Sequence, residues 1–414
     1  MHYSEWGMTH NIDELIYSAI FESDSAAHTQ IKAQAEASHI VLASIHNLYQ
    51  AIGQGEVGGF TVPAINLRTL TYDIAQVIFK LMIESKVGPV IFEIAISEQD
   101  YTHQSPHEFA SSVLAAAIKT GYTGPVFLQG DHYQFKREKY LEDKQPELER
   151  IRTHIRDTIQ AGFHNIDIDG STLVDLEKLD LNEQQRENYT VTAAMTDYIR
   201  LLQPSGITIS IGGEIGHIGG RNSTVEDFQA FMKGYKSLLS PGTVGMSKVS
   251  VQTGTHHGGV VRADGTLETA PIDFSVLKDI GNIARADYGL GGAVQHGAST
   301  LPDDLFHMFP ENGALEVHLS TQFQNIVFDH LSPELRERMY TWARKTVDKQ
   351  EGLSDEQFIY LSRKKAFGEF KKELWQLSDS EKSRILNPIS EKLTKLFQTL
   401  RIVETRYLLE KYVI

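Results

Sequence analysis

Histidine recurs in this chain close to glycine, at places where short apolar runs end. Asp131-His132 follows Pro125–Gln129, His256-His257 follows Lys248–Thr253, and His296 follows Gly292–Gln295. Imidazole is the commonest nitrogen ligand for divalent metals. Three histidines from separate elements can converge on one ion and leave a position open for substrate, the layout of a catalytic zinc site rather than a closed structural one. The chain has 17 His, so some fall at such places by chance, and a lone His is more often structural or solvated. It is His132, His257 and His296 together that carry the reading. His256 competes with His257 for one place, and His217 and His318 are spares. Asp131, Asp169 and Glu214 stand at neighbouring run ends and could ligate, orient ligands or move protons. Asp131 also suits a helix N-cap, but its place beside a candidate ligand favours catalysis. Asp167 and Asp169 alternate on one strand and so share a face, where one of them suits the core. Glu98, Asp100 and His103 read as solvent-facing loop residues.

The glycine-rich stretches His257-Gly258-Gly259 and His296-Gly297-Ala298-Ser299-Thr300 suggest phosphate. Small residues let backbone N–H groups approach an anion, and Ser/Thr hydroxyls complete the nest. The same glycines also suit plain tight turns.

These residues need elements that hold them. Strands are expected near Phe60–Ile65, Pro89–Ile96, Pro125–Gln129, Asn165–Asp169, Ile207–Gly212, Lys248–Thr253, Gly292–Gln295 and Leu315–Leu319. Helical patterns lie between them, near Tyr72–Ser85, Pro106–Thr120, Pro146–Ala161, Tyr189–Leu202, Val225–Leu239, Asp273–Ala286, Pro302–Phe309 and Thr321–His330. Such alternation implies a parallel sheet, and eight pairs imply an α/β fold, a closed (β/α)8 TIM barrel. An open doubly wound sheet is the competitor, but no G-x-G-x-x-G follows the first strand. Residues 1–57 read as an N-terminal helical segment, with Ala26–Leu48 as continuous helix. Residues 58–331 read as the barrel. Residues 332–414 read as a helical extension, with Ile389, Leu393, Leu396, Phe397, Leu400 and Val403 spaced by threes and fours. Chemistry in such barrels sits where strands end and loops begin, with phosphate often held after strands seven and eight.

Composition limits the function classes. The 414 residues carry 39 Lys+Arg and 54 Asp+Glu, a net charge of −15, with no basic run, which disfavours nucleic acid as a partner. Hydrophobic residues at 41% and charged residues at 22% are ordinary for a globular chain. With no Cys there is no disulfide, thiolate metal site or Cys nucleophile. No apolar run approaches the ~20 residues needed to span a bilayer, and residues 1–6 do not read as a signal peptide. The expectation is a soluble cytoplasmic protein.

Over roughly Phe60–His330 the chain resembles the class II fructose-bisphosphate aldolase family. Pro63-Ala64-Ile65-Asn66 is similar to that family's opening motif, and Gly130-Asp131-His132 to its Asp-His pair. Ile168-Asp169-Gly170-Ser171 is similar to its Asp-Gly-Ser segment. Glu214-Ile215-Gly216 with Gly219-Gly220 resembles its Glu-x-Gly…Gly-Gly. His257-Gly258 and His296-Gly297-x-Ser299 resemble its later zinc histidines and their phosphate-binding neighbours. Ile272-Asp273-Phe274 resembles its Leu-Asp-Phe. Three places depart. Arg221 and Asn222 stand where the family has a mobile acidic pair. The Asn-x-Asp-Thr after the eighth strand reads His318-Leu319-Ser320-Thr321. The Glu93–Gln99 stretch is closer to the noncatalytic subunit of tagatose-bisphosphate aldolases.

The resemblance implies a metal-dependent aldolase that cleaves or forms a C–C bond in a phosphorylated ketose, fructose- or tagatose-bisphosphate-like, through a zinc-stabilised enediolate. Zn2+ or another divalent metal would sit on His132, His257 and His296, with Asp169 and His256 as supporting or alternate ligands and a monovalent cation near the phosphate. Asp131 would be the proton-transfer residue. With the acidic pair absent, the second proton falls to Glu214, His217 or Glu226. Asn66, Gly258, Gly297, Ser299 and Thr321 would bind substrate and phosphate, and a homo-oligomer is expected. Two alternatives stand: a metal-dependent sugar or sugar-acid epimerase or isomerase, and a noncatalytic helper subunit of an aldolase.

Overall fold

The computed structural model describes residues 11–22, 24–216, 221–254, 260–264, 267–268 and 272–413. Eight parallel strands close into a ring: β1 (Val62–Asn66), β2 (Ile91–Ala95), β3 (Gly124–Gln134), β4 (Asn165–Asp169), β5 (Ser210–Glu214), β6 (Lys248–Val251), β7 (Ala293–Gln295) and β8 (Glu316–Leu319). Each pairs with the next, and β8 returns to β1 with Val317 opposite Pro63. The fold is a (β/α)8 TIM barrel, as the alternation predicts.

The sequence pattern is sharpest where helix ends carry their own stop signals. The helix Pro106–Thr120 has Ser105 as N-cap accepting from Glu108 N, proline in its first turn, and Gly121 at φ 71° after its last turn. Val225–Leu238 begins with a reciprocal Thr224–Asp227 cap. Both lie within a residue of expectation. The N-terminal reading is corrected. Ala26–Leu48 is not one helix but Ser25–Ala37, a short strand Ile40–Leu42 beside Gly124–Val126 of β3, and then α1 (His46–Gly53). His39 turns the chain at φ 57°, and the β-branched Ile40-Val41 pair extends it.

The segment after β8 is helical and wraps back. Asp379–Thr399 buries Ile385, Ile389, Leu393, Leu396 and Phe397 against the helices Thr71–Glu84 and Thr321–His330. The chain that follows stitches the floor of the barrel. Thr61 N donates to Leu400 O, Gly88 N to Ile402 O, and Glu404 N to Ser85 O. Among the described residues no helix is long and apolar enough to cross a membrane.

The barrel interior carries a buried polar layer. Lys248 Nζ donates to Gln129 Oε1 at 2.8 Å, Asp167 Oδ2 at 2.9 Å and Glu316 Oε1 at 2.6 Å, with no exposure of its side chain. Gln129 Nε2 bridges on to Glu93, and Tyr49 of α1 donates to Glu316 from below. Gly212 leaves the room, since a Cβ there would lie 2.3 Å from Asp167 Oδ1 and 3.0 Å from Lys248 Cε. Burial alone would lower the Lys248 ammonium, but Asp167 and Glu316 hold it well above its ordinary value.

Candidate active site

Side chains converge at the C-terminal ends of the strands around a cavity of ≈ 350 Å³. Asp131 and His132 are adjacent in β3, so regular pleating would send them to opposite faces. A β-bulge changes that: Gly130 pairs Ile166 and Tyr133 pairs Ile168, one residue extra on β3, with His132 at φ 44°. Both side chains then line the cavity. His296 leaves β7 and brings its ring to 4.3 Å from that of His132, centroid to centroid. Asp131 Oδ1 lies 3.4 Å from His296 Nε2 and 3.8 Å from His132 Nε2.

Carboxylates orient the imidazoles. His132 Nδ1 is 3.1 Å from Asp169 Oδ2 and 3.1 Å from Glu214 Oε2. Asp169 is itself fixed, accepting from Ser171 N and Oγ and from Gln134 Nε2. Such a carboxylate on Nδ1 directs Nε2 at the centre of the site. Glu214 also approaches His296 Nδ1 at 3.8 Å. Charge follows geometry. Burial would raise the Asp131 carboxyl, but His132, His296 and His318 hold it well below its usual range. Burial with the nearby Asp169 pushes Glu214 up to about 8. His132 is raised well above its ordinary value because Asp131 and Glu214 outweigh its burial, whereas burial and the neighbouring His318 and His132 push His296 well below.

Asp131, His132 and His296 each bring a donor atom within 4.8 Å of the others. A buried imidazole and a partly buried one, the latter with its far nitrogen held by a carboxylate, are a donor set that fits zinc or a similar divalent ion. His256, His257 and Gly258 lie outside the described residues, as does His217.

The expected phosphate residues meet. Gly297, at φ 73°, Ser299 and Thr321 line the same cavity, and Ser320 N donates to Ser299 Oγ at 2.9 Å. The helix Thr321–His330 starts there with no side-chain cap, leaving its first N–H groups toward the cavity end of β8. Asn66 also lines the cavity and donates to Glu98.

Several cavity residues escape the sequence reading. Arg68 reaches Ser320 Oγ, Gln324 Oε1 and Glu98 Oε1. Glu98 is corrected: it is no solvent-facing loop residue but is buried in the helix Ile96–Thr102, paired with Arg68. Its burial was hidden because Arg68 belongs to another strand end. Lys364, from the segment after the barrel, also lines the cavity, its ammonium lowered to about 8 by burial and by Arg68. Lys136, Arg150 and His154 also line it, from the β3 end and the helix Lys144–Ala161, with Arg150 paired to Glu147 at 2.6 Å and His154 lowered by burial. His318, a spare in the sequence, brings its ring to 4.0 Å from that of His296, centroid to centroid, tilted by 49°. Arg221 and Asn222 turn elsewhere: Arg221 pairs with both oxygens of Asp227, at 2.6 and 2.7 Å.

Known proteins share the barrel. The fructose-bisphosphate aldolase from Campylobacter jejuni is 16% identical, with 88% of this chain and 96% of that one covered at a TM-score of 0.53. A Sinorhizobium meliloti protein described as a probable tagatose 6 phosphate kinase is 13% identical, with 84% and 99% covered at 0.56. At these identities the likeness speaks for the barrel alone. The family model for class II fructose-bisphosphate aldolase matches residues 46–382, most of the chain, so the protein belongs to the class II fructose-bisphosphate aldolase family.

Proposed function

We propose that the chain is a metal-dependent aldolase that cleaves or forms a C–C bond in a phosphorylated ketose. One observation carries the reading: Asp131, His132 and His296 share a single cavity with Gly297, Ser299 and Thr321. His132 and His296 would hold the divalent ion together with His257, and the ion when bound supplies Lewis-acid polarisation of the ketose carbonyl. Asp131, ionised among the histidines, takes the proton from the hydroxyl on the carbon whose C–C bond breaks. That oxygen becomes the carbonyl of the departing aldehyde, and the electron pair of the broken bond stays with the ketose fragment. Asp169 and Glu214 keep His132 oriented. Gly297, Ser299, Thr321 and the start of the helix Thr321–His330 bind a phosphate, with Arg68 beside them. Lys136, which lines the cavity from the β3 end, supports a second charge on the substrate, bisphosphate-like.

The test is cleavage of a panel of ketose mono- and bisphosphates, with and without chelator. Chelator-sensitive release of triose phosphate is the expected result. Bound metal with no cleavage of any panel member would move the assignment to an epimerase or isomerase. Neither metal nor cleavage would leave a noncatalytic subunit.

A further inference from the structure

Two lysines near the site are drawn away from solvent, and their surroundings differ. Lys248 has Asp167 Oδ2 at 2.9 Å and Glu316 Oε1 at 2.6 Å, so it stays an ammonium and is chemically inert. Lys364, on the cavity wall, has no such counterion. Among the described residues its Nζ makes no ion pair and no hydrogen bond, and what meets it is the Tyr101 ring, 5.8 Å away at the centroid.

Glu98 is the acid that acts on Lys364, and it is already committed. Its Oε1 accepts from Arg68 at 2.7 Å, and its Oε2 from Ala95 N at 2.9 Å and from Asn66. The other charges that act on Lys364 are Arg68 and its own neighbour Lys365, both cations. Burial first, then Arg68, holds the Lys364 ammonium down to about 8, against an upward pull from Glu98. Burial beside a second cation is what activates a lysine toward carbonyl compounds. The same cavity offers an anion a place at Gly297, Ser299 and Thr321, with Arg68 beside them. A carbonyl compound that carries phosphate is therefore drawn to the amine.

We propose that Lys364 is a covalent binding site for a phosphorylated aldehyde, taken up reversibly as an imine. The lone pair of the neutral amine attacks the carbonyl carbon, and the C=O electron pair moves to oxygen. Two protons from the nitrogen leave with that oxygen as water, so a C=N bond replaces the C=O bond, and added water reverses the step. The inference goes beyond the aldolase reading. It rests on that reading for the place of the phosphate, and it uses neither the ion nor C–C cleavage. An aldehyde held this way occupies the substrate's own cavity.

Full-length protein in excess EDTA at pH 8, treated with glyceraldehyde 3-phosphate and cyanoborohydride, tests this by peptide mass spectrometry. Cyanoborohydride reduces the imine to a stable secondary amine. Lys364 should carry the adduct, at a rate at least about tenfold above that of Lys136, which is exposed in the same cavity. The Lys364 rate should rise with pH to half its plateau near 8. Unphosphorylated glyceraldehyde should label it more slowly, and inorganic phosphate should protect it. Lys364→Arg keeps the charge and should lose the adduct. If that variant fails to fold, the selectivity and pH profile of the native chain still decide. No adduct on Lys364, equal labelling of Lys364 and Lys136, or equal rates for the two aldehydes overturns the site. Because the protein is chelated, each of these results leaves the aldolase reading intact. That reading fails separately if no ketose phosphate is cleaved while Lys364 is still labelled.

Discussion

Asp131 and His132 are neighbours in sequence that both face one cavity, and the extra residue in β3 is what permits it. Asp131 is the group on which proton transfer depends. Asp131→Ala should lower kcat by about 10²–10⁴-fold with metal content retained at His132 and His296, and near-normal turnover would remove it as the base. Two histidines far from the chemistry govern a different property. Burial, with Arg200 nearby, lowers His46 to about 4, and burial lowers His164 to about 4 against a weak pull from the Leu42 carbonyl. Both are neutral in the fold and have an ordinary value of 6.5 when unfolded. Their contribution is therefore fully present above about pH 6.5 and is lost as pH falls toward 4, about 3 kcal/mol each. The His46→Gln/His164→Gln protein should lose much of the acid slope of Tm seen in the native chain. An identical slope in both would refute the assignment.

At the scale of elements, the strand ends present the site and the polar layer beneath supports it. Lys248→Met leaves Asp167 and Glu316 buried without their ammonium, so unfolding free energy should drop by about 3–5 kcal/mol. A denaturant midpoint equal to that of the native protein would show the pair to be dispensable. Much of this scale was legible in the sequence. All eight barrel strands stand near their expected places because short apolar runs sit between strong helix caps and glycine turns. The strand Ile40–Leu42 was not, because three residues between two helices carry no alternation to read. His132 and His296 stood out by type and place. Lys248 did not, because a lysine opening a strand usually faces solvent, and only closure of the ring brings Asp167 and Glu316 to it. The alternating pairs Gln129/Asp131, Asp167/Asp169 and Glu316/His318 held the available hint of a polar interior.

Over the whole molecule, the helices after the barrel belong to the site as well as to the packing. The short turn Arg363–Lys365 rests near the helix Ile96–Thr102 and places Lys364 on the cavity wall, where its ammonium lies over the Tyr101 ring, 5.8 Å from the centroid. Lys364→Met should raise KM for a doubly anionic substrate roughly tenfold and leave kcat largely unchanged, the loss of one charge-assisted contact. An unaltered KM would place the lysine outside substrate recognition. Sequence could not show this, since nearly 300 residues separate Lys364 from Arg68 along the chain. A similar reach runs through the barrel axis. Tyr49 in the helix beneath the floor holds Glu316, Glu316 touches both Lys248 and His318, and His318 looks onto the cavity. The rim histidine thus takes part of its charge environment from Glu316, an acid that a phenol from the helix beneath the floor holds in place. Grafting His318 alone into a related barrel would transplant a side chain without its setting. The column from Tyr49 to His318 is an epistatic unit, whose members must be exchanged together if the property is to move with them.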